Sequence, residues 1–192
     1  MVFRRRDPVG PTDPLADLDP AAISAARRSD AVAALDAAHR YDAIVGRTPD
    51  GPIRARLEAL RPEVHAAVRT VFDAAHRTDL KVATLADLGP DDVTRRLKAA
   101  RGALARAEED GRDTSDLRAA AESLDRQLAS VHAIWDAAER SAEEIHRLQL
   151  RLGEVVASAG AVAADVPDRA VERIGDVADE LHTLRLALVE LN

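Results

Sequence analysis

The chain has no cysteine, so neither a disulfide framework nor a thiolate metal site is open to it. Aromatics are almost as scarce. Phe3, Tyr41, Phe72 and Trp135 are the only four in 192 residues, too few to fill a wide globular interior. No apolar run approaches the ~18 residues that a bilayer-spanning helix needs. The start, Met1-Val2-Phe3-Arg4-Arg5-Arg6-Asp7-Pro8, opens with the basic cluster of a secretion signal but lacks the apolar stretch that follows in one. No Gly-x-Gly-x-x-Gly or phosphate-loop sequence occurs, and the few serines have no glycine-rich elbow beside them. Nucleotide binding and nucleophilic catalysis therefore find no support. A net charge of −7 argues against nonspecific nucleic-acid binding, which depends on neutralising phosphates. Lysine is confined to Lys81 and Lys98 beside 25 arginines, the mark of a high-GC, bacterial coding sequence.

What is abundant is alanine, at 40 residues, together with leucine, arginine and glutamate. These are strong helix formers. Small side chains also let helices approach closely. The expected fold is all-α: an elongated antiparallel helical bundle of about five helices, with coiled-coil-like packing around one long helix. Residues 1–18, with Pro8, Gly10, Pro11 and Pro14 and no helical period, read as a flexible tail. Residues 19–192 read as a single helical-bundle domain.

Asp19-Pro20 supplies an N-cap and a proline at the first helical position, so the first helix is expected from there to about Val45, closed by Gly46 and Thr48-Pro49-Asp50-Gly51-Pro52. The second begins near Pro52 with the stripe Leu57, Leu60, Val64, Val68, Val71, Ala75. Pro62 removes a backbone donor inside it, but the stripe resumes in phase, which predicts a kink and not a break. After Leu88-Gly89-Pro90 a third helix carries Val93, Leu97, Ala100, Leu104 and Ala107. Asp110-Gly111-Arg112-Asp113 is the next turn. The fourth helix starts near Thr114. Leu117, Ala121, Leu124, Leu128, Val131, Trp135, Ala138, Ala142, Ile145, Gln149, Leu152, Val156, Ala159 and Ala163 alternate four and three apart, and no proline intervenes before Pro167. About 50 residues at ~1.5 Å each give roughly 75 Å. Gly153 and Gly160 are its expected weak points. A fifth helix follows Pro167, with Val171, Ile174, Ala178, Leu181, Leu184 and Leu188 as its stripe. Short turns imply antiparallel neighbours throughout.

Four carboxylate-x-x-His pairs, Asp36/His39, Asp73/His76, Glu143/His146 and Asp179/His182, have the spacing that di-iron bundles use to place two ligands on one helix face. The histidines fall beside the apolar stripe and not in it, and three pairs use the shorter aspartate. They are read as solvated flanking groups, and no metal ligand and no cofactor is assigned. Asp36, Asp73 and Asp136 each stand four residues before an arginine, a surface pairing worth about 0.2–0.5 kcal/mol. Arg95, Arg96, Lys98, Arg101 and Arg106 form the one basic segment, with no acid between Asp92 and Glu108. They are the candidate partner surface, although pairing with Asp91, Asp92 and the acidic fourth and fifth helices accounts for them too. Phe3, Arg4, Arg5 and Arg6 are the candidate membrane contact, at ~1 kcal/mol per cation near an anionic surface. Trp135 is expected in the seam of the fourth helix beside Phe72, and Tyr41 at the rim of the bundle with its hydroxyl bonded.

The expected function is non-enzymatic. The chain reads as a cytoplasmic scaffold or adaptor that binds protein partners and self-associates as a homodimer. The alternatives are a peripheral membrane protein using the basic start and third helix, and a metal-binding bundle.

Overall fold

The computed structural model describes residues 14–164 together with Asp179 and Thr183. These are 88% helical and contain no strand, which settles the helical class. A 3-10 turn, Pro20–Ala22, precedes four α-helices: α1 (Ala25–Arg47), α2 (Pro52–Leu88), α3 (Pro90–Glu109) and α4 (Ser115–Ala164). The count of about five helices is not confirmed among the described residues. Only Gly89 separates α2 from α3, and the expected fifth helix after Pro167 falls outside the described residues.

Asp19 caps as its sequence suggests, its Oδ1 accepting the Ala21 N–H at 2.8 Å. The helix it starts lasts one turn. Ile23 adopts an extended conformation and is buried. Placing this β-branched side chain in the core interrupts the helix, which restarts after Ser24. Arg28 covers the exposed carbonyls of Pro20 and Ile23. At the other end α1 runs past Gly46 until Thr48, whose hydroxyl donates to the Ile44 carbonyl at 2.8 Å. Packing also begins before residue 19. Leu15 is 1% exposed, and Arg69 grips the Asp17 carboxylate at 2.7 Å and the Pro14 carbonyl.

α2 passes through Pro62 unbroken. Pro62 and Glu58, whose carbonyl loses its donor there, both lie on the exposed face, where water replaces the lost bond. Gly89 sits at φ 55°, ψ 65°, a left-handed conformation that glycine adopts without strain, and Pro90 restarts the helix as α3. Gly111, at φ 67°, closes α3 with a Schellman arrangement: Arg112 N–H donates to the Ala107 carbonyl and Gly111 N–H to that of Glu108.

The described residues divide into two compact units, one up to Ala74 and again from Ile145, the other Ala75–Glu144. In the first, α1 and α2 run in opposite directions. The buried Tyr41 hydroxyl donates to the Leu57 carbonyl at 2.9 Å, and Asp42 meets Arg61 at 3.0 Å and His65 at 2.9 Å. α1 and α4 run in the same direction. Asp30 meets His146, and fourteen residues on along both helices Ile44 lies against Gly160, where an added Cβ would stand 3.6 Å from its Cδ1. The core holds Leu57, Val68, Val71, Phe72, Ile145, Leu148, Leu152, Val155 and Ala159.

In the second unit, the end of α2 and then α3 follow one another along α4 against its direction. Lys81 meets Ser141, Arg101 meets Asp125 and Arg118 meets Glu108. As numbers climb on one side they fall on the other. The expectation that every short turn joins antiparallel neighbours therefore holds for α1/α2 and α3/α4 but not for α2/α3, because Gly89 interrupts the helix without reversing it. The core here is thinner: Leu85, Val93, Leu97 and Ala107 against Ala121, Leu124, Val131 and Ala138.

Burial pushes the Tyr41 phenol well above its ordinary value, with the nearby Arg61 cation opposing the shift. A raised acid pKa means stability that is complete below the unfolded value, about 10, and lost as pH rises past it. Since Tyr41 is the only tyrosine, its ultraviolet ionisation should coincide with loss of helix by circular dichroism in an alkaline titration. Tyr41→Phe should cost about 0.5–1.5 kcal/mol at neutral pH, the worth of the lost hydrogen bond, and flatten that alkaline fall. Ionisation of the phenol without unfolding would contradict the assigned burial.

Candidate interaction surface

Trp135 is the largest departure from the sequence reading. It is 56% exposed, not sealed in the seam beside Phe72, which belongs to the core of the first unit. The cause is helical geometry. Leu124, Val131, Ala138, Ile145, Leu152 and Ala159 recur every seven residues and are all buried. A straight helix rotates such a row by ~20° per heptad. Early in α4 the row is flanked by Ala121 on one side; later it is flanked by Val156 on that side and by Leu148, Val155 and Val162 on the other. Trp135 and Gln149 share a flank with Ala121 and Val156, which is buried at those two levels and open between them. Gln149 is half-buried, and Leu148, which a strict four-three alternation passes over, is fully buried in its stead.

Trp135 is not alone. Leu80, Val82 and Leu88 are also exposed in the second unit, against Val32 and Leu150 in the first. Large apolar side chains left in water thus concentrate where the core is thinnest.

The basic segment lies on α3, with side chains turned outward. Arg95 bonds Asp92 at 2.5 Å and Arg96 approaches the same carboxylate at 3.9 Å. Both stabilise the helix start that Asp91 and Asp92 favour through the helix dipole. Arg101 bonds both oxygens of Asp125 on α4, at 2.7 and 2.8 Å. Three of the five cations are therefore engaged within the unit, as charge complementarity predicts. Lys98 and Arg106 make no ion pair with a described residue, and neither do Asp136 and Glu139 beside Trp135. The expected Asp136–Arg140 pair is not formed, and Arg40 reaches the Asp36 carbonyl instead of its carboxylate. The end of the Arg106 side chain folds back over Gly102, 4.0 Å from where a Cβ on that glycine would stand.

Sequence spacing missed two cross-helix histidine contacts. His65 lies in no carboxylate-x-x-His pair, and its partner Asp42 is on another helix. His146 bonds Asp30 of α1 at 3.0 Å, and no contact with Glu143 of its own pair is among its bonds. Among the described residues, no group of three or more His, Asp or Glu side chains converges to hold a metal ion. His182 and the candidate membrane contacts Phe3, Arg4, Arg5 and Arg6 lie outside the described residues. Among the described residues no helix is long and apolar enough to cross a membrane.

The chain matches no protein-family model, no curated protein and no solved structure at a significant level.

If Trp135 is surface and not core, Trp135→Ala should change unfolding free energy by less than about 1 kcal/mol, whereas truncating a buried tryptophan costs about 3–5 kcal/mol. Arg101→Ala should cost no more than about 1 kcal/mol, as exposed ion pairs do. Denaturant unfolding followed by circular dichroism measures both, and a large loss for Trp135→Ala would return it to the core.

Proposed function

We propose that this chain is a non-enzymatic scaffold or adaptor, a helical bundle with coiled-coil-like packing that works by binding protein, including a second copy of itself. The observation that carries this reading is the exposed apolar surface of the second unit, with Trp135 at 56% and Leu80 at 68% exposure on helices whose own core is thin. Large apolar side chains left exposed in one unit are the material of contact sites when they gather into a patch, and tryptophan and arginine are the residues that contribute most at them. Lys98, Arg106, Asp136 and Glu139, without an ion pair among the described residues, add charges of both signs to the same unit. The homodimer is the partner this mixed surface favours, since one copy offers both halves of a complementary contact. The absence of cysteine supports a reducing compartment, the cytoplasm.

Multi-angle light scattering on the full chain is the direct test. A molar mass that rises with concentration toward twice the 20.6 kDa of one chain is expected. A strict monomer that also captures no protein from a lysate would overturn the reading.

A further inference from the structure

We propose that the outward side of α3 is a docking site for a short acidic segment of another protein; this rests on the protein-binding reading above and names the partner's chemistry.

Asp91, Arg95, Lys98, Gly102, Arg106 and Glu109 recur three or four residues apart, so they run along one side of α3. Val93, Leu97 and Ala107 are buried on the opposite side. The apolar side of the helix is therefore spent on its own unit, and the outward side works through charge. Between its two ends that side carries cations alone. Lys98 and Arg106 have no ion pair among the described residues. Arg95 pairs with Asp92, but the two side chains are 73% and 52% exposed. An incoming carboxylate thus displaces at most one bridge of the exposed kind, which contributes little. The positions between the cations, Ala99, Gly102, Ala103 and Ala105, are small and let a chain lie close. Over Gly102 itself stands the flexible end of Arg106, 4.0 Å from where a Cβ would be, and it can turn toward an arriving anion.

The two ends of this side select the partner. Arg95 to Arg106 cover roughly 16 Å of helix at ~1.5 Å per residue. Beyond them stand Asp91 at one end and Glu109, followed by Asp110, at the other, all exposed. An anion no longer than the cationic stretch meets attraction throughout. A longer one runs over like charge at both ends, within the ~8–10 Å over which charges act in physiological salt. A nucleic-acid duplex carries one charge per ~1.7 Å along its length, and an anionic bilayer is a plane. Each covers the acidic ends together with the cations, and the net charge of −7 adds to the repulsion. A few successive carboxylates fit between the ends and avoid them.

Titration of the full isotope-labelled chain with hexaglutamate, about 20 Å long when extended, tests this by amide NMR. The expected result is a set of shifts confined to Arg95–Arg106, absent with hexaglutamine and fading as salt is raised. Lys98→Glu and Arg106→Glu should each weaken binding by about threefold or more, the scale of an exposed pair lost and reversed. Arg56→Glu makes the same charge change at an exposed arginine of the first unit and should leave binding unaltered. All three positions face water, and unchanged helical circular dichroism confirms that the variants fold. Hexaglutamate that leaves these amides unmoved, or that binds both α3 variants as well as the wild type, overturns the docking site. So does tighter attachment of the same face to a DNA duplex, or to vesicles of three parts phosphatidylcholine and one part phosphatidylserine, since the partner is then an extended anion. Molar mass and capture of protein from a lysate are independent of all these outcomes, so the scaffold reading stands or falls apart from this site.

Discussion

The structure depends on one row of side chains spaced seven apart along α4: Leu124, Val131, Ala138, Ile145, Leu152 and Ala159. A 50-residue helix cannot keep a seven-residue row on one side of itself without supercoiling, because its own period is nearer 3.6. The row therefore turns as it advances. Alanine and valine on it permit close neighbours at one level, while isoleucine and leucine fill more space at another. Both compact units draw on this row, and what flanks it decides how deep each core is.

From Ile145 onward the row gains Leu148, Val155, Val156 and Val162, and a wide arc of α4 is buried. α1 and α2 supply Tyr41, Leu57, Val68, Val71 and Phe72 to meet it. Between Ala121 and Ala138 the buried arc is narrow, with Leu124 and Val131 as its larger members and alanine at both ends. Burial stabilises in proportion to apolar area removed from water, about 25 cal/mol per Å², so the second unit gains less from its own packing than the first. The polar contacts divide the same way. The buried Tyr41 hydroxyl and the Asp42, Arg61 and His65 cluster join helices in the first unit, whereas the bridges of the second, Arg101–Asp125 and Arg118–Glu108, are exposed and weak. Function is proposed to reside in the unit with surface to spare.

Much of this was legible in the residues. The helical class follows from alanine, leucine, arginine and glutamate, and the helix ends near Pro52, Pro90 and Gly111 follow from proline and glycine chemistry. The continuity of α2 through Pro62 was legible because its apolar stripe keeps phase. The first helix was not, since only burial of Ile23 explains why it halts after one turn. Gly89 shows a different limit: a glycine-proline pair marks an interruption but carries no information about reversal of direction. Trp135 shows a third. A four-three alternation assigns both flanks by spacing alone and carries no information about how many neighbours cover α4 at each level, which leaves Trp135 exposed and Leu148 buried. As for the candidate surface, the basic positions of α3 were visible as a run, but which cations are already paired depends on Asp125 of α4, beyond the reach of local spacing.

The central claim is that one helix carries a single rotating row whose burial is deep in one stretch and shallow in another. Residue-by-residue amide hydrogen exchange along α4 tests it most directly, because protection reports the free energy of the opening that exposes each amide. The account predicts the slowest exchange between Ile145 and Val162, limited by global unfolding, and measurably faster exchange between Ala121 and Ala138 through smaller openings. Uniform protection along α4, or stronger protection in the stretch around Trp135, would contradict it.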